Sequence, residues 1–253
     1  MPNTTRPTPR QKAEALFGRL PARGCWLALP SPIASEIVGR AGFDFAIVDF
    51  EHGPVGIETA VTQMIALKAA STAAMARAPS LDAAWIKRLL DAGAEALMAP
   101  MIESADDAGA AVLAFRFGPE GRRGVATAMV RAAGYGSDPD YLKSWNDRGL
   151  LIAQLESPHA VDRADAIAAV DGVDALFFGP SDYAAAAAFP SDTVVIAALE
   201  RVVKAAHAHG KLAGSVSFAG LDPAALEARG VDIVGAASDV GLLREAAAAA
   251  ARR

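Results

Sequence analysis

The stretch Leu151-Ile-Ala-Gln-Leu-Glu156 is an apolar run that ends on a carboxylate, and one strand–helix unit later Leu176-Phe-Phe-Gly-Pro-Ser-Asp182 repeats the pattern. Continuous apolar runs of this length are typical of strands buried on both faces of a parallel sheet. Because the carboxyl ends of parallel strands open into one crevice, Glu156 and Asp182 are expected to meet there. The sequence therefore predicts two ligands of one divalent metal ion, although ordinary helix caps produce the same pattern.

Short β-rich runs alternate with longer helix-favouring segments along the whole chain, which is the pattern of parallel βαβ units. Length alone allows one barrel or two domains, and a doubly wound sheet usually has fewer strands. We therefore predict an α/β protein with a single (β/α)8 (TIM) barrel over residues 1–253, in which 1–10 are flexible. The eight predicted strands are 25–29, 43–49, 73–77, 96–100, 151–156, 175–179, 211–216 and 232–235.

Composition narrows the classes of partner. Of the 253 residues 53% are apolar, which supplies a large core, and 24 Lys and Arg against 29 Asp and Glu give a net charge of −5. This balance predicts no general affinity for nucleic acid or for a membrane surface. Cys25 is the only cysteine, which excludes an intramolecular disulfide and a cysteine-based zinc cluster. With no secretory signal and no apolar run of the ~18 residues that a membrane span needs, we predict a cytoplasmic protein.

Among the four histidines, His52 stands where a catalytic group is expected. It follows the apolar run Phe45-Ala-Ile-Val-Asp49, in a turn that also carries Glu51. A histidine there can exchange protons near neutral pH, and neighbouring carboxylates can fix its tautomer. The alternative is that Asp49 and Glu51 simply cap the next helix and satisfy local backbone amides. His207 and His209 lie two apart on one predicted helix, on different faces, so they are poor partners for one metal ion. His159 could lie near Glu156, but it is interpreted as a solvated residue at a helix start.

Arg77 ends the third predicted strand. Because arginine is rarely buried without a partner, it predicts either a substrate oxyanion or an internal ion pair with Glu51 or Glu156. The turn Gly179-Pro-Ser-Asp182 begins a helix, whose free backbone N–H groups can bind a carboxylate. No lysine is predicted at the carboxyl end of a strand, so Schiff-base chemistry on a carbonyl substrate is not expected, and a metal ion is left as the electron sink.

Two further regions carry weaker signals. Residues 117–149, between the fourth predicted helix and the fifth strand, are rich in Gly, Arg and Asp and contain Tyr135, Tyr141 and Trp145. Loops of that length in a compact domain commonly cover active sites or contact other subunits. The alanine-rich tail 245–251 has helix propensity and is interpreted as a surface helix.

Taken together, the ordered segments of this chain resemble the HpcH/HpaI family of aldolases, the metal-dependent pyruvate aldolases of the phosphoenolpyruvate/pyruvate-binding barrel group. The likeness covers nearly the whole chain. The segments that carry it are Gly24-Cys-Trp-Leu-Ala-Leu29, Ala41-Gly-Phe-Asp-Phe-Ala-Ile-Val-Asp-Phe-Glu-His-Gly-Pro54, Ile86-Lys-Arg-Leu-Leu-Asp-Ala-Gly-Ala94, Ala99-Pro-Met-Ile-Glu-Ser-Ala105, Gly121-Arg-Arg-Gly-Val-Ala126, Gln154-Leu-Glu-Ser157 and Phe177-Phe-Gly-Pro-Ser-Asp182.

The resemblance implies a function and a set of site residues. Glu156 and Asp182 would bind Mg²⁺ or Mn²⁺, with Co²⁺, Zn²⁺ or Ni²⁺ as alternatives, together with waters and a 2-oxo acid. Arg77 would contact the pyruvyl oxygen and His52 would be the catalytic histidine. The remaining implied pocket residues are Ser181, Gln154 and Trp26. The implied reaction makes or cleaves a C–C bond between a pyruvate or hydroxypyruvate enolate and an aldehyde, with 4-hydroxy-2-oxo acids as substrates.

The family pairs its histidine with an aspartate that matches Asp91. This residue ends the third predicted helix, which runs back towards the N-terminal face of the barrel, away from His52. We therefore predict that a His52–Asp91 contact crosses a subunit boundary and that the enzyme is an oligomer. The resemblance implies a hexamer, built as a trimer of dimers with the last helix exchanged between partners.

Two departures from the family pattern bear on the acceptor aldehyde. Tyr183 and the alanines 184–188 replace a leucine and a serine-containing turn, and Phe50 is larger than many residues at its position. A 2-oxo acid decarboxylase or a citrate-lyase-like enzyme on the same enolate remains an alternative; for a CoA substrate the candidate phosphate contacts are Arg122, Arg123 and Arg131. A non-catalytic metabolite-binding barrel is a further alternative, but such a protein would not need His52, Arg77 and two carboxylates together.

Overall fold

The protein folds as a closed barrel of eight parallel strands, each paired with the next along the chain and the last paired with the first. The structure is a computed structural model and describes residues 6–252. The predicted (β/α)8 barrel is confirmed. The strands are β1 (Ala22–Leu27), β2 (Phe45–Asp49), β3 (Ala73–Arg77), β4 (Ala96–Ala99), β5 (Leu150–Leu155), β6 (Ala175–Phe178), β7 (Leu212–Val216) and β8 (Ile233–Ser238).

Helices follow the strands and surround them, and many begin at a serine or aspartate whose side chain accepts a backbone N–H, as Ser104 and Ser157 do. A 3₁₀ turn spans Arg131–Gly136. The α-helices are α1 (Pro9–Phe17), α2 (Pro32–Arg40), α3 (Ile57–Ala69), α4 (Ala83–Ala92), α5 (Ala105–Phe115), α6 (Tyr141–Arg148), α7 (Pro158–Asp162), α8 (Ala164–Ala168), α9 (Pro180–Ala186), α10 (Asp192–Ala208), α11 (Pro223–Glu227) and α12 (Asp239–Ala251).

The barrel interior is filled with apolar side chains and is closed at its N-terminal end. Ile47 and Phe177 belong to the cluster that fills the lumen, together with Phe45. The ring of Phe45 occupies the space in which a Cβ on Gly24 would stand, so glycine is required there. Phe17 of α1 packs on Phe45 with ring centroids 5.0 Å apart. Because α1 closes this end, the open end of the barrel is the one formed by the carboxyl ends of the strands.

The first residues divide into two groups. Residues 1–5, half of the segment predicted to be flexible, lie outside the described residues, whereas α1 already begins at Pro9. Within the described range no helix is both long enough and apolar enough to cross a membrane. The cytoplasmic location stays a prediction.

Residues 117–149 lie at the closed end of the barrel. Arg131 donates to the carbonyl oxygen of Ala92, at the end of α4, and Trp145 donates to that of Phe115, at the end of α5. Both helices end on the N-terminal face. The segment therefore does not cover the barrel mouth of its own chain, which leaves the subunit contact as the interpretation open to it.

Helix α12 hardly packs on its own barrel. Its first residue, Asp239, is buried and accepts the backbone N–H groups of Ala28 and Leu29 at 3.0 Å. From Leu242 to the end of the described chain every residue is exposed, and Leu243 is 61% exposed. A helix whose leucines face solvent lacks the burial that usually stabilises helices in proteins.

Candidate active site

A buried arginine with two carboxylates occupies the mouth of the barrel. The register of β2 and β3 sets Asp49 beside Arg77 at the ends of their strands. Arg77 donates Nε and Nη2 to Oδ1 and Oδ2 of Asp49 at 2.9 and 2.7 Å, and its Nη1 lies 2.8 Å from Glu51 Oε2. Its guanidinium stands 4.5 Å from the ring centre of Trp26. Arg77 is therefore a fixed cation, paired with one of its predicted partners, Glu51, and with Asp49, which the sequence analysis did not assign to it.

Asp49 also shapes the turn that carries the histidine. Its Oδ1 accepts the N–H groups of Glu51 and His52 at 3.1 and 3.4 Å. The next helix, α3, begins at Gly56 without a side-chain cap, so neither Asp49 nor Glu51 caps it. The His52 side chain is 63% exposed, and its Nε2 lies 3.9 Å from Glu51 Oε2, too far for a hydrogen bond. His52 thus stands at the rim with its ring free for a further partner.

Glu156 and Asp182 come together on the opposite side of the mouth. Glu156 is 2% exposed, and its Oε1 accepts the backbone N–H of Met101 at 3.0 Å. Burial raises the pKa of Glu156 to about 7; the Met101 hydrogen bond works against this rise, and the carboxyl groups of Glu51 and Asp182 add to it. Burial likewise raises the pKa of Glu51, against the charge of Arg77.

Neither member of this pair is a helix cap. Helix α7 is capped by Ser157, and α9 begins at Gly179 without a side-chain cap. The capping alternative for Glu156 and Asp182 is therefore wrong. Met101, which no sequence pattern marks, has φ = 54°, in the left-handed region, and its N–H donates to Glu156.

Several buried polar atoms near these groups have no protein partner among the described residues. They include Trp26 Nε1 and Gln154 Oε1. A Cβ on Gly179 would lie 2.9 Å from Glu156 Cγ and 3.3 Å from Gln154 Nε2, so the backbone passes close to both side chains. Since buried polar groups are nearly always hydrogen-bonded, this cluster indicates a polar ligand.

The donor set suits a hard cation that shares its ligands with substrate. In the described part of the chain no three His, Cys, Asp or Glu side chains gather in a metal-binding group. Two carboxylates, those of Glu156 and Asp182, leave most positions of an octahedral ion to waters and substrate oxygens, which is the arrangement that Mg²⁺ favours. The residues present therefore fit the implied metal.

Asp91 is not brought to this site within the chain. It lies in the last turn of α4, at the closed end of the barrel, and its Oδ1 accepts Nη2 of Arg123 at 2.7 Å. Ser181 lies in the first turn of α9, next to Asp182, with its side chain exposed. Of the predicted site residues, Asp91 alone is at the opposite end of its own barrel.

The two departures from the family pattern face away from the mouth. Tyr183 packs on Phe178 with ring centroids 5.3 Å apart, and Phe50 packs on Trp85 at 5.9 Å. Tyr183 and Phe50 belong to the apolar shell between strands and helices rather than to the lumen. Neither side chain is therefore placed to contact an acceptor in the mouth.

A wide cavity of 920 Å³ opens at the other end of the molecule, between α1 and α6. It is lined by Lys12, Tyr141 and Trp145 among others and by none of the predicted metal ligands. One polar residue that lines this cavity is Lys12, whose Nζ already donates to Asp174 and to the carbonyl oxygen of Gly149. We therefore place the candidate site at the mouth, where Glu156 and Asp182 meet near the unpartnered polar atoms of Gln154 and Trp26.

Comparisons with known proteins agree with this geometry. The model of the HpcH/HpaI aldolase/citrate lyase family matches residues 23–246. The 5-keto-4-deoxy-D-glucarate aldolase of Enterobacter sp. (strain 638) is 41% identical over 226 residues, 88% of each chain. Its namesake from Shigella dysenteriae serotype 1 is 39% identical over 241 residues, 94% of each chain. A solved HpcH/HpaI aldolase/citrate lyase family protein from Burkholderia cenocepacia J2315 superposes with a TM-score of 0.87 at 37% identity, covering 96% of this chain and 98% of that one.

Proposed function

The chain belongs to the HpcH/HpaI aldolase/citrate lyase family and is a carbon–carbon lyase, and we propose that it is a divalent-metal-dependent aldolase for 4-hydroxy-2-oxo acids. In this reaction an enolate of pyruvate or hydroxypyruvate and an aldehyde are joined or separated. The sugar-acid aldolases among its relatives support a substrate of the 2-keto-3-deoxy sugar acid type.

The observation that carries the proposal is the pairing of the buried Glu156 carboxylate with the carboxylate of Asp182. Glu156 is almost fully buried beside Asp182, opposite a fixed guanidinium, and caps no helix. A Mg²⁺ or Mn²⁺ ion held by these two side chains would polarise the carbonyl of the 2-oxo acid. The unpartnered Gln154 Oε1 and Trp26 Nε1 lie where they can orient the bound acid, and N–H groups at the start of α9, near Ser181, can meet its carboxylate.

Arg77 stabilises the charge that develops on the keto oxygen. Its bonds to Asp49 and Glu51 fix the guanidinium before substrate arrives, so little reorganisation is needed during the reaction. The stacking on Trp26 holds the plane of the cation. Lysine could not reproduce this forked geometry.

His52 is the proposed general base and acid of the reaction. In the cleavage direction its ring accepts the proton of the C4 hydroxyl through a water molecule, and in the addition direction it returns one. The exposed ring of His52 leaves room for a carboxylate from outside the chain. We assign that role to Asp91 of a second copy, because Asp91 stands at the far end of its own barrel.

This assignment requires an oligomer, and a hexamer built as a trimer of dimers is the proposed form. Exposed apolar side chains on two helices support an oligomer. The leucines of α12 are exposed, and Ile33 and Ile37, one turn apart on α2, are 71% and 66% exposed. Exchange of α12 between partners would bury apolar surface that one chain leaves in contact with water. Light scattering of the purified protein tests the stoichiometry, and a monomer would contradict it.

The decisive experiment is a substrate panel. Pyruvate or hydroxypyruvate is incubated with glyceraldehyde or succinic semialdehyde, with Mg²⁺, Mn²⁺, Co²⁺, Zn²⁺ or Ni²⁺, and the adducts are identified by mass spectrometry. We expect an aldol adduct that is lost on chelation and restored by added metal. An adduct that forms equally well after chelation would remove the metal from the proposal. Carbon dioxide release from oxaloacetate without any adduct would favour the decarboxylase, and no turnover at all would favour a binding barrel.

A further inference from the structure

The carboxylate of Asp91 is held by an arginine that is completely enclosed. The side chain of Arg123 has no exposed surface, and its Nη2 donates to Asp91 Oδ1 at 2.7 Å and to the Tyr141 hydroxyl at 3.0 Å. Its guanidinium lies 4.4 Å from the ring centre of Phe117 and 4.8 Å from that of Trp145. The cation is thus fixed in an aromatic box.

The backbone of Arg123 is fixed as well. Its N–H donates to the carbonyl oxygen of Arg116 at 3.0 Å, and a β-bridge joins Arg123 to Phe117. Nε and Nη1 of Arg123 have no hydrogen-bond partner among the described residues, so Asp91 is the carboxylate on which this buried charge depends.

Asp91 itself is only partly enclosed. Its side chain is 22% exposed, and Oδ1 is the oxygen engaged by Arg123. The carboxylate is therefore held in one orientation at the surface of the closed end. This arrangement parallels a catalytic dyad, in which a carboxylate must present one oxygen to the imidazole in a fixed direction.

We propose that Arg123 is a positioning residue, which holds Asp91 so that its free oxygen meets His52 of a second copy of this chain. The inference rests on the proposed function, in which Asp91 serves a neighbouring subunit. It adds a residue that touches neither substrate nor metal and acts through Asp91 alone. A purely structural arginine would stabilise the segment 117–149 and leave turnover by the folded enzyme unchanged.

The test is a double-mutant cycle on the metal-loaded oligomer, with Arg123→Lys, Asp91→Asn and the two combined. Turnover is measured in the cleavage direction. We expect Arg123→Lys to lower kcat roughly tenfold to a hundredfold, the range found for groups that orient metal-binding side chains, with little change in KM for the 2-oxo acid. In the Asp91→Asn background the same substitution should have no further effect, because its only route to the chemistry is already removed.

Arg116→Lys is the matched control, since Arg116 is buried in the same region but pairs with Glu120 and Asp171. It should leave kcat unchanged. If Arg123→Lys does not fold, Tyr141→Phe removes the hydroxyl bonded to the same Nη2, and its smaller loss of kcat should also vanish in the Asp91→Asn background. Three results would overturn the inference without contradicting the proposed aldolase activity. The first is additive loss of kcat in the double variant, the second is an unchanged kcat in Arg123→Lys, and the third is an equal loss of kcat in Arg116→Lys. A wild-type protein without aldol activity would overturn the proposed function and this inference with it.

Discussion

Each end of the barrel contains a buried ion pair, and the two pairs differ in the polar groups that surround them. At the closed end Lys12 donates to Asp174 and to the carbonyl of Gly149, and Asp174 also accepts the N–H of Leu151. At the mouth Arg77 is paired with Asp49 and Glu51, yet the neighbouring Gln154 and Trp26 keep polar atoms without partners. Burial is similar at both ends, so burial alone does not mark the site.

This difference indicates where the fold tolerates a loss of stability. An unpartnered buried polar group destabilises a fold by about 1–3 kcal/mol, and such groups persist where a ligand satisfies them. The Lys12–Asp174 pair stabilises the closed end, whereas Gln154 and Trp26 at the mouth keep polar atoms that a polar ligand can satisfy. Substitutions at the two ends should therefore separate activity from stability.

Glu156→Gln should give the largest effect. It keeps the size of the side chain but removes the charge that the proposed metal needs, so we expect kcat to fall by roughly a thousandfold, at the upper end of what one electrostatic group contributes. The chelator-treated variant should unfold at the same or a higher temperature, because a buried carboxylate is no longer present. Steady-state kinetics and thermal unfolding test this. Glu95→Gln, at the closed end, serves as the control, and near-normal turnover in Glu156→Gln would remove Glu156 from the site.

Lys12→Met should show the opposite behaviour. It leaves Asp174 buried without its cation, in a place where burial already raises the pKa of that carboxyl. We expect the free energy of unfolding to fall by about 3 kcal/mol, with kcat per folded enzyme unchanged. Urea unfolding and kinetics measure the two quantities. Lys68→Met, at a side chain 74% exposed, should change stability little. If Lys12→Met lowered kcat and left stability unchanged, the expected separation of activity from stability between the two ends would be wrong.

The pH dependence of stability should also distinguish the mouth. In the chelator-treated protein burial raises the pKa of Glu156 to about 7, above the usual value of about 4.5 for a glutamate. The folded state therefore binds more protons than the unfolded state between these values, and this group's contribution to stability is present at low pH and lost as pH rises through 7. Relative to Glu156→Gln, the wild type should lose about 2 kcal/mol of unfolding free energy between pH 5 and pH 8. Parallel curves for the two proteins would show that Glu156 titrates normally.

The smallest effect is expected at Met101. Its left-handed backbone is free of strain for glycine, but glycine also gains entropy in the unfolded chain, so Met101→Gly should change stability by less than about 1 kcal/mol. Activity should persist, since the group that contacts Glu156 is the backbone N–H. Met101→Val, whose branched side chain tolerates this conformation poorly, should lose both stability and activity. Equal behaviour of the two variants would mean that the left-handed turn does not support Glu156.

Much of this architecture can be predicted from sequence, because buried strands of a barrel are continuous apolar runs. Strand β3 matches its prediction at both ends, whereas β8 continues to Ser238 because Ala237 and Ser238 pair with β1 beyond a bulge, and these small residues carry no apolar signal. The pairing of Arg77 with Asp49 depends on the register of two strands, which no local pattern encodes.

The site shows the same division. The residues of the mouth stand at strand ends and are visible in the sequence as polar breaks after apolar runs. The left-handed φ of Met101 and the aromatic box around Arg123 arise from contacts between distant segments, so sequence patterns do not reveal them. The lack of packing between α12 and its own barrel could not be predicted either. An alanine-rich helix has the same sequence pattern whether it packs on its own barrel or on another.

The plug formed by α1 has a kinetic consequence. With Phe17 closing one end of the barrel, everything that reaches the site must enter and leave through a single opening. In the proposed site the 2-oxo acid would bind deeper, against Arg77 and Glu156, and the aldehyde would lie between it and solvent. Release after cleavage should therefore be ordered, with the aldehyde leaving first. Product inhibition by the 2-oxo acid should then be competitive with the cleavage substrate, and inhibition by the aldehyde should be noncompetitive.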